Sequence, residues 1–144
     1  MKTFILLCLL SSLATPVRSQ ARERGCEKLE STATKVHCLE RKTLAAEAKM
    51  NLAFEHALSA YLPGSHPEKG LSATGKVRQI VEEEDVLTVA ALRESQTEWL
   101  SYRNSACSAI QHMYEGGTAS SEAAEACRLE FTEQRTQWLR SNFD

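Results

Sequence analysis

Apolar side chains recur at helical spacing in three stretches, and no alternating run points to a strand. The first stretch runs from about Thr34 to Leu62. In it Met50, Phe54, Ala57, Leu58 and Tyr61 stand at i, i+4, i+7, i+8 and i+11, one face of a helix. Ser31 and Thr32 supply the cap region at its start, and Pro63-Gly64 ends it. Residues 63–74, with Pro63, Gly64, Ser65, Pro67, Gly70 and Ser72, read as a loop. The second stretch, from about Lys76 to Glu115, places Leu92, Trp99, Ala106, Ile110 and Met113 on one face. A helix of about forty residues would be roughly 60 Å long. That is long for a small domain, so a break is expected near Glu84–Asp85, with Asp85 capping the second segment. Gly116-Gly117 stops this helix, since glycine adopts the left-handed C-cap cheaply. The third stretch starts near Ser120 or Ser121 and runs to about Asn142, with Cys127, Phe131, Gln134 and Trp138 as its expected inner face.

The implied fold class is all-α: a small antiparallel helical bundle or hairpin. The double glycine adds a distance constraint. Cys107 lies ten residues before Gly117 and Cys127 ten residues after it. In an antiparallel hairpin, equal distances from the bend bring two residues to the same level, so Cys107 pairs with Cys127, each about 15 Å from the turn. Cys26 and Cys38 remain. Twelve positions along one helix would hold them about 18 Å apart, beyond disulfide reach, so the chain must reverse between them, near Ser31–Thr34. The same mirror about Gly117 sets Trp99 level with Arg135 and Arg103 level with Phe131. Each is a candidate cation–π contact, the alternative being arginines that extend to water over an aromatic core.

The N-terminus changes the picture of where the chain works. Met1-Lys2-Thr3 precedes the apolar run Phe4 to Leu10, and Val17-Arg18-Ser19 offers small residues for cleavage near Ser19–Gln20. Residues 1–19 therefore read as a secretory signal peptide and residues 20–144 as one helical domain. The apolar run is too short to span a bilayer, so no membrane span is expected after cleavage. Cys8 lies inside that run, too early for a lipid-modified cysteine. Removing residues 1–19 takes away Lys2 and Arg18 and no acid, leaving 15 basic and 19 acidic residues, a net charge of −4. Four cysteines stay with the exported chain, an even number that suits two disulfides. The mild acidic balance argues against nucleic acid as a partner.

In order and spacing, Leu92, Gln96, Trp99, Tyr102-Arg103, Cys107, Tyr114, Gly116-Gly117, Cys127, Thr132, Arg135 and Leu139 resemble the signature of the LprI-like lysozyme inhibitor family. The resemblance implies a small exported helical protein with paired cysteines that binds lysozyme and blocks its action on peptidoglycan. It implies structural roles, in packing and stapling, for the matching positions, among them Gln96, Trp99, Arg103, Gly116, Gly117 and Arg135.

Little in the chain suggests chemistry. His37, His56, His66 and His112 never fall at i, i+3 or i+4 from one another, and no Cys-x-x-Cys occurs. A zinc site built from Cys26, Cys38 and His37 competes poorly with oxidation in an exported protein. No nucleophile motif, phosphate-cradling glycine loop or zinc-protease helix is present, and Ser65-His66 are adjacent, a poor geometry for a catalytic pair. Neither an enzyme nor a cofactor is expected. Two segments are candidate binding elements. Glu82-Glu83-Glu84-Asp85 is the densest charge cluster, a solvated face or a docking patch for a basic envelope protein such as a lysozyme. Ser65, His66 and Lys69 lie in the 63–74 loop, which could enter a partner's cleft. The rival functions are a periplasmic chaperone or stress protein and a structural subunit of an envelope assembly.

Overall fold

A computed structural model describes residues 25–62, 75–114 and 117–143 of the chain, with the backbone alone described at 75–82 and at Glu84. Three α-helices account for most of them, and no strand occurs among the described residues. Helix α1 spans Thr32–Ser59, α2 spans Gly75–Met113 and α3 spans Thr118–Phe143. Residues 1–19, expected from the sequence to be a signal peptide, the loop residues Ser65, His66 and Lys69, and Gly116 lie outside the described residues.

Ser31 caps α1, its side chain accepting a hydrogen bond from the Thr34 backbone N–H at 3.2 Å. The reversal required by Cys26 and Cys38 comes slightly earlier than expected, in the turn and bend over residues 25–31. Both expected disulfides are present. Cys26 and Cys38 have Cα atoms 5.7 Å apart, and Cys107 and Cys127 have theirs 5.6 Å apart. Gly117 sits in the bend, its N–H donating to the Tyr114 carbonyl at 3.0 Å. Its backbone is not in the left-handed region, so the C-cap conformation expected of the double glycine is not found at this position.

Helix α2 is continuous over 39 residues, without the break expected near Glu84–Asp85. The segment contains no interior proline or glycine, and an aspartate within a helix costs only tenths of a kcal/mol. With Cys107 opposite Cys127, the end of α3 at Phe143 falls level with about residue 91. The first sixteen or so residues of α2, about 24 Å, therefore extend past the end of α3.

Side-chain contacts set the direction of each helix. Lys35 meets Glu122, and Met50 packs with Leu139, so α1 runs parallel to α3. Glu47 meets Arg103 and Met50 meets Gln96, so α1 runs antiparallel to α2. The core comprises two clusters. Cys26, Leu39, Ala46 and Leu129 form one, which anchors the segment before α1 between α1 and α3. Met50, Ala53, Ala57 and Leu139 form the other, flanked by Phe54, Trp99 and Phe143.

The expected face of α1 is buried as read, through Met50, Ala57 and Leu58, with Phe54 and Tyr61 half-buried. The faces of α2 and α3 are rotated from expectation. On α2 the buried residues are Leu92, Gln96, Arg103 and Cys107, whereas Met113 is 78% exposed. On α3 Cys127 is buried with Ala124, Thr132, Thr136 and Leu139; Phe131 is half-buried, Gln134 is exposed and Trp138 is 44% exposed. Threonine can occupy a helical core because its hydroxyl returns to the backbone. Thr132 donates to the Arg128 carbonyl at 2.7 Å and Thr136 to the Thr132 carbonyl at 2.8 Å.

Thr43, buried on α1, has no hydrogen-bond partner for its hydroxyl. A buried polar group in this state carries its desolvation cost uncompensated. Thr43→Val keeps the shape and removes the hydroxyl, and is expected to stabilise the fold by about 1 kcal/mol. Urea unfolding measures this as a raised midpoint with unchanged slope.

Candidate functional site

Two polar junctions tie the three helices together, each drawing two residues from α2 and one each from α1 and α3. In the first, Arg103 of α2 reaches across the bundle. Its Nη1 donates to Glu47 Oε1 of α1 at 2.8 Å and to Thr132 Oγ1 of α3 at 2.9 Å. Its Nε and Nη2 donate to Asn104 Oδ1 at 3.3 and 3.2 Å. Arg103 is only 6% exposed, and a buried guanidinium is tolerated because its donors meet a carboxylate, a hydroxyl and an amide oxygen. In the second, Gln96 of α2 donates through Nε2 to Met50 Sδ of α1 at 3.5 Å. Its Oε1 accepts from Arg135 Nε of α3 at 3.0 Å. Arg135 Nη2 also donates to Ser95 Oγ at 3.0 Å, and Ser95 in turn donates to the Leu92 carbonyl at 2.9 Å.

Aromatic rings complete these junctions. Arg135 lies 4.6 Å from the ring centre of Trp138 and 5.8 Å from that of Trp99. The Trp99–Arg135 contact expected from the mirror about Gly117 is therefore formed. The second expected contact is not: Arg103 lies over Trp99 at 5.3 Å, and Phe131 instead meets the edge of Tyr102 at 5.6 Å. Trp99 sits one turn before Arg103 on the same helix, within reach of its guanidinium. Desolvation by burial lowers the Arg135 pKa from its ordinary value, yet a guanidinium stays charged throughout the physiological range.

Gln96, Trp99, Arg103 and Arg135 make contacts between helices in these junctions, and Gly117 lies in the bend between α2 and α3. Glu47, Ser95 and Asn104, which complete these junctions, were missed in the sequence. Glu47 carried a usable signal, a carboxylate one turn before Met50 on an otherwise apolar face, which calls for a cationic partner.

The candidate binding residues are not brought together with these junctions. Glu82, Glu83, Glu84 and Asp85 occupy consecutive positions of α2 in the part that extends past α3. Successive helical positions point about 100° apart, so a dense run in sequence does not make one face. Glu83 is exposed and Asp85 half-buried, while the side chains of Glu82 and Glu84 lie outside the described residues.

All four cysteines of the described chain are bonded to one another, which removes thiolate chemistry. Among the described residues, no cluster of three or more His, Cys, Asp or Glu is placed to hold a metal ion. Nor is any helix there long and apolar enough to cross a membrane. What the geometry offers is a rigid scaffold, cross-braced by two disulfides and two buried polar junctions.

Comparison with known proteins bears on this scaffold as a whole. The chain is 25% identical over 134 residues to an uncharacterized protein of Rhizobium meliloti (strain 1021), covering 93% of this chain and 89% of that one. No solved structure matches it. The family model described as "Lysozyme inhibitor LprI" matches residues 26–139, from the first cysteine of the N-terminal disulfide to the buried Leu139. The chain therefore belongs to the LprI lysozyme inhibitor family.

Proposed function

We propose that this protein is an extracytoplasmic lysozyme inhibitor of the bacterial cell envelope, acting by stoichiometric, steric binding without turnover. The observation that carries the reading is the family match over residues 26–139. The braced fold supports it, because a preorganised binder loses little conformational freedom on association. Paired cysteines suit an oxidising compartment, in keeping with residues 1–19 acting as a signal peptide cleaved near Ser19–Gln20.

The acidic run Glu82–Asp85 steers a basic lysozyme toward the extended end of α2. Loop residues Ser65, His66 and Lys69 enter the partner's cleft, where Lys69 or His66 meets the catalytic carboxylates. Calorimetric titration of the oxidised protein with lysozyme is expected to give a stoichiometry near one and an affinity that falls as salt rises. Replacing residues 65–70 by a Gly-Ser segment is expected to weaken binding at least tenfold. Absence of heat with every lysozyme class removes the function; unchanged affinity in the loop variant removes only the loop.

A second reading, a stress protein that holds unfolded clients, is favoured by the exposure of Leu44, Leu52 and Met113. A dye reporting apolar surface separates the two: its fluorescence rises on acidification for a client-binding protein and stays flat for a braced inhibitor.

A further inference from the structure

Helices α1 and α3 run side by side and leave a groove of about 780 Å³ on the face they share. Such a volume suits a small-molecule ligand. Lys42, Ala45, Ala46 and Lys49 line it from α1, and Leu129 and Arg140 are among the residues lining it from α3.

The lining carries more positive than negative charge. Met50 and Leu139 belong to one core cluster, so their chain neighbours Lys49 and Arg140 stand at about the same level of the two helices. Both are exposed. One turn away on α1, Lys49 is flanked by Ala45, Ala46, Leu52 and Ala53; one turn before Arg140 stand Thr136 and Gln137. None of these positions is a carboxylate; Asp144, one turn after Arg140 in the sequence, lies outside the described residues. Toward the other end the floor becomes apolar, with Ala45, Ala46 and the buried Leu129, and Lys42 and Glu133 also line it. Among the described residues lining the groove, three cations (Lys42, Lys49 and Arg140) stand against one carboxylate (Glu133), in a protein whose overall charge is negative. The lining contains no aromatic ring on which a nucleobase would stack.

We propose that this groove binds an anionic amphiphile. Its phosphate or carboxylate head sits between Lys49 and Arg140, and its apolar chain lies along Ala45, Ala46 and Leu129. Lys42 and Lys49 are about 10 Å apart along the helix axis, a length that accommodates a short alkyl chain. The inference is independent of lysozyme binding.

The test uses the full oxidised protein and three probes: dodecyl phosphate below its micelle concentration, inorganic phosphate (head alone) and dodecyl maltoside (uncharged head). Calorimetry is expected to give saturable one-to-one binding of dodecyl phosphate, with each other probe at least tenfold weaker. Amide NMR shifts are expected to centre on Ala45, Lys49, Gln137 and Arg140. The variant K49E/R140E should lose at least tenfold in affinity. A45W, at an exposed position that leaves the core intact, should block the apolar half to a similar degree, and K28E, outside the groove, should bind as the parent does. Sedimentation with vesicles of phosphatidylcholine and phosphatidylglycerol distinguishes the source: co-sedimentation lost in K49E/R140E assigns a membrane lipid, and binding of the monomeric probe alone assigns a free amphiphile. No saturable binding, equal binding of the maltoside, or equal affinity in K49E/R140E and A45W to that of the parent would overturn the proposal.

Discussion

Replacing Cys107 and Cys127 together by alanine is expected to lower the unfolding free energy by about 3 kcal/mol and the thermal midpoint by about 10 °C. The two residues are 20 positions apart in sequence, and opening that loop returns conformational freedom to the unfolded chain. Both sulfurs are buried, so lost packing adds to the effect. Alanine is preferred to serine here, because a serine hydroxyl at the fully buried position 107 would add an unpaired polar group. Helical circular dichroism at 25 °C should remain, since the polar junctions and both apolar clusters persist. The measurement is a pair of thermal unfolding curves, parent and variant, at equal protein concentration. An unchanged midpoint would mean that the bond adds nothing to the folded bundle.

Arg103→Ala is expected to cost about 2–3 kcal/mol. The substitution removes the side chain that bonds Glu47 of α1 and Thr132 of α3 at once. Deleting one partner of a fully buried ion pair commonly costs more, but the Glu47 side chain is 31% exposed and can recover water. Thr132 keeps its bond to the Arg128 carbonyl, so it is not left unpaired. The guanidinium over Trp99 is lost as well. Glu47→Gln should cost less than about 1 kcal/mol, because the amide oxygen still accepts from Arg103. Chemical denaturation of the two single variants and the double variant closes a thermodynamic cycle. Its coupling energy should be about 1 kcal/mol in favour of the pair, and zero coupling would show that Arg103 acts through packing alone.

Much of the architecture was legible because it depends on distances along a helix, which have one value. The symmetric placement of Cys107 and Cys127 about Gly117 determined their pairing, and the 18 Å or so that a continuous helix would impose between Cys26 and Cys38 required a reversal of the chain there. Burial on α2 and α3 was harder to read because hydropathy misjudges polar residues that find partners. Thr132 and Thr136 occupy core positions by donating to carbonyls one turn back, and Gln96 and Arg103 do so by bonding to other helices. Of the residues that apolar spacing placed inside, Met113 is 78% exposed and Trp138 44% exposed. The expected break in α2 failed for a related reason. A local capping residue such as Asp85 is a weak signal, and no chain-level rule requires a helix to end where its partner does. For the candidate binding residues, the acidic run proved helical, so its four positions fan out around α2 instead of forming a ready-made patch.

The proposed function has this doubly stapled member of the LprI family work by occupying another protein's surface. Titration of the oxidised chain into lysozyme digesting cell walls tests that most directly. Suppression of lysis that rises in proportion to added protein and saturates near one equivalent is the predicted result. Lysis that continues at the uninhibited rate with a several-fold excess, for every lysozyme class tried, would contradict it.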